Sequence, residues 1–414
     1  MSVALLWDDP PRVWDLLAQR AMNVFGVPYC LVKTQDIAHA ALADKFSLLV
    51  LPGGSAGRRL SRLGQSGREA ITAFVQRGGN CLGLGGGAEM ALAGGLGLCA
   101  WECAQAPDPW RLLSGNVRVR CVPGLGAESA PLRFEGGAAL PEADMFVWHP
   151  CRLMPPEKSR QGDGIVLAEA AGPGADLEFA GMAMEKLEGG ALAVFEQDAS
   201  ARLNFSGFPQ GPCVLGGTFG RGRWVLSLPH LEAPAHGAAN AWLARLLESL
   251  GGTVPQGVRL PAWHPGVGVR WLEKRLLGCR EQLLEMYARC LAHGLLVPRS
   301  GWLFEWRGGV SEEALNALWA AFSVLASECP RPEAEDAWDS VAEEICGLCR
   351  GALEETEALL LGQRAEGQCA GLIRKGALES RRLALFGADD EGGMYGRLLS
   401  LLGRVLFVQL QGGA

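Results

Sequence analysis

The chain has 414 residues, 49% of them hydrophobic, with a formal net charge of −7 and a pI near 5.6. That length exceeds what one core ordinarily holds, so two or three domains are expected. The acidic balance leaves no electrostatic footing for a nucleic-acid partner, and no apolar run is long enough to span a bilayer, since the longest candidate, 83–101, is broken by Glu89 and crowded with glycine.

The opening residues, MSVALLWDDPPR, enter an apolar run with no basic segment and no cleavage site before it, which is the expectation for a cytoplasmic protein. The 13 cysteines are an odd number scattered through apolar stretches, so they read as buried small hydrophobes in a reducing compartment. Cys346 and Cys349 form one Cys-x-x-Cys without a second pair, and Cys99 and Cys103 have no histidine nearby. No metal and no other cofactor is therefore expected.

In chain order, 3–7 is a short strand, followed by Asp8, Asp9 and a helical pattern through Phe25. A second strand at 29–32, a short helical piece at 37–43 and a continuously apolar strand at 47–51 come next. Apolar runs of this kind suit a parallel sheet covered on both faces. Leu51-Pro52-Gly53-Gly54 ends the third strand, and 55–66 reads as a loop before a helix carrying Ile71, Phe74 and Val75. After Gly78 and Gly79 comes NCLGLGGGAEMALA, a strand that turns through three glycines into a helix. Such a turn exposes one residue at its tip and several backbone N–H groups beside it. The tip is Gly85, which has no side chain to attack with.

From about residue 99 to 219 the helical period gives way to β patterns, as where Val117, Val119 and Cys121 alternate with Arg118 and Arg120. Further strands are expected at 164–168 and 191–197. The α/β signal returns at GRGRWVLSLPHLE, a strand with His230 and Glu232 at its carboxyl end, and a helix at 238–250. Beyond it, helices are expected at 269–293, 311–327 with Ser311 as cap, 333–361, 368–386 and 394–411. The predicted organisation is an α/β domain over 1–252, flavodoxin-like and doubly wound on a mostly parallel sheet with β-rich insertions. A linker over 253–265 then leads to an all-α domain over 266–414.

The succession LPGG, a helix ending in GG, CLGLGGGAEMA and, far downstream, GRGRWVLSLPHLE resembles the class I glutamine amidotransferase superfamily. Within it, the likeness is to the biotin-protein ligase N-terminal (BPL-N) domain, and it extends over about 1–252. The resemblance implies a Gly-x-Cys-x-Gly elbow with a nucleophilic cysteine, and a histidine followed two residues later by an acid. Gly83 and Gly87 match the flanking glycines, and His230 and Glu232 the base and its orienting carboxylate. The cysteine position falls on Gly85, which removes the thiolate that covalent attack requires. Cys81 lies about 13 Å back along the same strand, at roughly 3.3 Å per residue, too far to replace it. Ser55, His149, His236, Asp8 and Asp9 are weaker candidates, each with an ordinary structural alternative.

Two readings of the glycines stay open. They permit close strand-to-helix packing, or Gly53, Gly54, Gly86, Gly87, Ala88 and His230 line a small-ligand pocket. Glu89 suits the helix start and opposes an anion placed close to it. The expected function is that of a non-catalytic amidotransferase-like protein, with the helical domain taking an unknown small molecule or protein partner. The alternatives are an amidase or hydrolase using His230 and Glu232 without a covalent intermediate, and a biotin-related ligase. For the ligase, Gly220-Arg-Gly-Arg223 mimics a glycine- and arginine-rich adenylate loop, but it runs straight into a strand.

Overall fold

The computed structural model describes residues 2–122, 142–157, 164–186, 197, 208–264, 268–306, 312–388 and 392–411. They fall into two compact units, Met1–Trp7 with Leu17–Ala262, and Asp8–Leu16 with Trp263–Gln411.

The chain starts as alternating strands and helices: β1 (Ser2–Trp7), α1 (Val13–Phe25), β2 (Tyr29–Lys33), α2 (Leu42–Lys45), β3 (Phe46–Leu51), α3 (Ala56–Gln76), β4 (Asn80–Leu84) and α4 (Gly86–Met90). A β-rich stretch follows, with β5 (Glu102–Cys103), β6 (Leu113–Cys121), β7 (Ala143–Trp148), β8 (Leu153–Met154), β9 (Ile165–Pro173), β10 (Glu178–Phe179), β11 (Met182–Ala183) and β12 (Gln210–Phe219). Strand β13 (Gly222–Ser227) and helix α5 (Gly237–Gly251) complete the α/β pattern.

One mixed sheet of 11 strands organises the first unit. Its α/β half runs β2-β1-β3-β4-β13, every neighbouring pair parallel. That is the flavodoxin-like order, in which sites form at the carboxyl ends of the strands. Beyond β13 the β-rich insertions extend the sheet antiparallel through β12, β9 and β6. The sequence accounts for both halves. Val3, Leu5, Leu48, Val50 and Leu82 are fully buried, as continuous apolar strands between two helical layers must be. In β6, Val117 and Val119 are buried while Arg118 and Arg120 are exposed, so one face of the antiparallel half meets water.

Helix α3 corrects the sequence reading of 55–66 as loop. Residues from Ala56 are helical, and the helix is interrupted at Gly64, whose φ of +59° only glycine adopts readily. The strand expected at 191–197 lies outside the described residues except for its last position, as does Ser311.

The second unit contains α6 (Lys274–Ala292), β14 (Leu296–Ser300), β15 (Leu303–Trp306), α7 (Glu312–Ser327), α8 (Pro332–Asp339), α9 (Ala342–Gln368), α10 (Ala377–Phe386) and α11 (Gly393–Leu410). It is helical, as expected, with one addition: β14 and β15 form an antiparallel hairpin. Asn316 on α7 holds that hairpin, accepting from the Phe304 N–H and donating to the Phe304 carbonyl, each at 2.8 Å. The helix expected over 333–361 is two helices, broken at Ser340 and Val341, where Val341 has φ −128° and Ser340 Oγ donates to the Ala337 carbonyl. The helix expected from 368 begins at Ala377, because Cys369 leaves helical geometry. Among the described residues no helix is long and apolar enough to cross a membrane.

Candidate functional site

Strand β4 lies between β3 and β13 and delivers Gly85 to the carboxyl edge of the parallel sheet. Gly85 turns the chain with φ +51° and ψ −122°, and its N–H donates to the Ser227 carbonyl at 2.8 Å. The carbonyl of Gly85 then accepts from Ala88 at 3.0 Å, closing the first turn of α4. The tight elbow expected from the glycines is present.

Each neighbouring glycine is there because backbone passes too close for a side chain. A Cβ on Gly86 would lie 1.6 Å from the Gly54 carbonyl oxygen, and one on Gly87 would lie 2.0 Å from the Leu51 carbonyl oxygen. On Gly83 it would meet Ala88 Cα at 2.7 Å. The turn after β3 is itself held by Arg59, 1% exposed, whose guanidinium donates to the Pro52 carbonyl. Helix α4 has only 5 residues, so its dipole offers little to an anion. This geometry supports close packing as the role of Gly83, Gly86 and Gly87.

His230 and Glu232 follow β13. The His230 N–H donates to the Phe146 carbonyl at 2.8 Å, and its Nδ1 pairs with Glu232 Oε1 at 2.8 Å. Both side chains are buried, His230 at 2% and Glu232 at 0% exposure. Asn240 on α5, also 0% exposed, fixes the loop carrying them. Its amide donates to the carbonyls of Leu231 and Ala233 at 2.9 and 2.8 Å, and its oxygen accepts from the Leu260 N–H at 3.1 Å. Asn240→Ala strands those three buried backbone groups and is expected to cost about 2 to 3 kcal/mol, readable as a lowered urea midpoint with unchanged slope.

The decisive contact is between the imidazole and the elbow. A Cβ placed on Gly85 would stand 2.4 Å from His230 Cε1 and 2.6 Å from Nε2. The histidine ring thus occupies the volume into which a nucleophile at this tip would begin to project. Chemically, an imidazole and a carboxyl group are paired there, with the ring packed against a residue that has nothing to deprotonate.

Among the remaining candidates, the two histidines have structural partners. Cys81 is fully buried, and desolvation pushes its thiol up to about 12, so it is protonated near neutrality. His149 Nδ1 pairs with the Arg111 carbonyl at 2.9 Å, and His236 lies between the Pro234 carbonyl and Asn116 Oδ1, each at 2.9 Å. Ser55 precedes α3 without making a side-chain cap bond. Asp8 and Asp9 belong to the second unit, and Asp8 is buried. In the glycine-arginine string, Arg221 donates to the Arg77 carbonyl and Arg223 to the Ser249 carbonyl, so both guanidinia are tied to backbone.

Sequence reasoning missed a second group beside the elbow. Arg111 grips Glu89 with two bonds of 2.8 Å, and Cys103 and Cys151 lie next to that carboxylate. Cys99, which the sequence sets beside Cys103, is 3% exposed in the core instead. No spacing rule points to this group, because its members come from α4, β5, the segment before β6 and the segment after β7.

A family-model match agrees with the sequence resemblance to the biotin-protein ligase N-terminal domain. Residues 19–94 match the family model described as biotin-protein ligase, N terminal, which is under a fifth of the chain. Among solved structures, PurLQS from Thermotoga maritima is similar at 17% identity, over 60% of this chain and 97% of that one, with a TM-score of 0.38. A β-galactosidase from Bacillus circulans sp. alkalophilus is similar at 11% identity, over 62% of this chain and 31% of its own, with a TM-score of 0.31. Among curated proteins none matches.

Proposed function

We propose that the protein is a non-catalytic amidotransferase-like protein whose elbow has been kept as architecture. The observation that carries this reading is the His230 ring lying against Gly85, in the space a nucleophile would need. Covalent amide transfer requires a side-chain nucleophile within reach of its base, and the base here faces a bare backbone. The helical part, 266–414, joined through 253–265 to the α/β part, 1–252, serves in this reading as the module that meets a small molecule or protein partner, in the cytoplasm.

The intact His230–Glu232 pair favours the second reading, an amidase or hydrolase that activates water directly. Burial of both groups opposes it, because a general base has to reach a substrate. Biotin-related ligation loses its one local motif, since Arg221 and Arg223 are committed to backbone carbonyls.

Restoring a thiol at the elbow tests the proposal. In Gly85→Cys, the introduced thiol should stay unlabelled by a thiol-specific reagent under conditions that label the exposed Cys329 and Cys369, with peptide mapping to separate the sites. A readily alkylated, low-pKa thiol at the elbow tip would contradict it, by showing that His230 yields and that the elbow still opens to solvent.

A further inference from the structure

One cluster of chemically able side chains lies outside the elbow pair. Glu89 on α4, Cys103 on β5 and Cys151 after β7 each offer one ligand atom, and the three atoms lie within 4.8 Å of one another. Cys151 is fully buried, while Cys103 and Glu89 are half-buried. The ordinary account is an ion pair, Glu89 with Arg111, beside two packed thiols. That account needs neither sulfur, yet three segments distant in sequence bring unlike donors to one point.

The hydrogen bonds at Glu89 show what it has left to give. Its Oε1 accepts from Arg111 Nη1 at 2.8 Å and from the Cys151 N–H at 3.1 Å, whereas Oε2 accepts only from Arg111 Nη2, at 2.8 Å, among the described residues. A carboxylate oxygen has two lone pairs, so Oε2 retains one. Arg111 also donates to the His149 carbonyl at 3.0 Å and reaches Cys103 Sγ at 3.9 Å, which fixes the guanidinium over the group.

We propose that Glu89, Cys103 and Cys151 form a three-ligand site for a thiophilic divalent cation of the zinc class. Two sulfurs and one carboxylate oxygen are a donor set such a cation accepts, and three protein ligands leave a fourth position for water or a small ligand. Bond lengths of about 2.3 Å to sulfur and 2.0 to 2.2 Å to oxygen place tetrahedral donors about 3.5 to 3.8 Å apart, so the three side chains need only a small inward shift. Binding replaces the two thiol protons, which pass to solvent. Two thiolates and a carboxylate then carry three negative charges, balanced by the dication and by Arg111. The guanidinium keeps its place as the outer partner that orients the ligating carboxylate.

The test uses the full chain, reduced, stripped with a chelator and titrated with cobalt(II), then with zinc(II). Expected is one equivalent of cobalt with thiolate-to-metal charge-transfer absorption and the visible bands of a tetrahedral ion, both bleached by zinc. Cys103→Ser and Cys151→Ser should each abolish the charge-transfer band. Glu89→Gln should keep it and weaken affinity by about tenfold or more. Cys279→Ser, in the helical unit where Cys279 and Cys346 sulfurs are 3.4 Å apart, should leave the spectrum unchanged. Should the buried Cys151 variant fail to fold, the unmodified chain still answers, because zinc must slow alkylation of half-buried Cys103. The proposal is overturned by the absence of a charge-transfer band, by a band that survives Cys103→Ser and is lost in Cys279→Ser, or by zinc leaving Cys103 alkylation unchanged.

Discussion

Gly86→Ala is expected to lower stability by about 4 kcal/mol or more, or to yield no folded protein, in a denaturant titration followed by circular dichroism. The added methyl would sit 1.6 Å from the Gly54 carbonyl oxygen and 2.8 Å from its carbonyl carbon, and both are backbone atoms. No rotamer change relieves that collision. The turn after β3 would have to move, and with it the Pro52 carbonyl that the buried Arg59 guanidinium holds. Gly57 in α3 is the control, since nothing lies within 4 Å of its added Cβ. There alanine should be neutral or stabilise by up to about 1 kcal/mol through helix propensity. A Gly86→Ala protein within about 1 kcal/mol of the parent would show that the two loops at the sheet edge can part, as an open ligand pocket requires.

His230→Ala is expected to cost about 3 to 5 kcal/mol without any loss of function at the elbow. Glu232 is wholly buried, its Oε1 pairs with His230, and its Oε2 has no hydrogen-bond partner among the described residues. Removing the imidazole leaves the buried Glu232 side chain without its hydrogen-bond partner and opens a cavity beside it. Removing both partners relieves that penalty, so His230→Ala/Glu232→Ala should be less destabilised than the sum of the single changes. Gly85→Cys and His230→Ala should couple in the same sense, because the second substitution clears the space that the first one needs. Additive costs for either pair would mean that the contacts are incidental.

The parallel half of the sheet was legible because its strands are uninterrupted apolar runs punctuated by glycine and proline. The elbow was legible because it lies at a strand end, where backbone geometry forces glycine, and the His-x-Glu pair because its place after β13 matches the family pattern the chain resembles. What the sequence concealed were consequences of packing. Nothing local tells that the His230 ring turns onto Gly85 instead of standing back from it, since that depends on the register of β4 against β13. The hairpin of β14 and β15 hid between helical patterns because its strands are short. Helix α3 was half missed because Gly64, Gly67 and Ser66 imitate a loop, and the helix absorbs them with a single non-helical residue. Glu89, Arg111, Cys103 and Cys151 carried no joint signal, since four separate segments supply them.

Ammonia release from glutamine and simple amides, by the parent chain and by His230→Ala at a temperature where both are folded, tests the non-catalytic reading most directly. Expected is no release above the buffer blank from either protein, together with the stability difference given above. Release by the parent that disappears in His230→Ala would contradict it, and would make the His230–Glu232 pair the working base of a hydrolase.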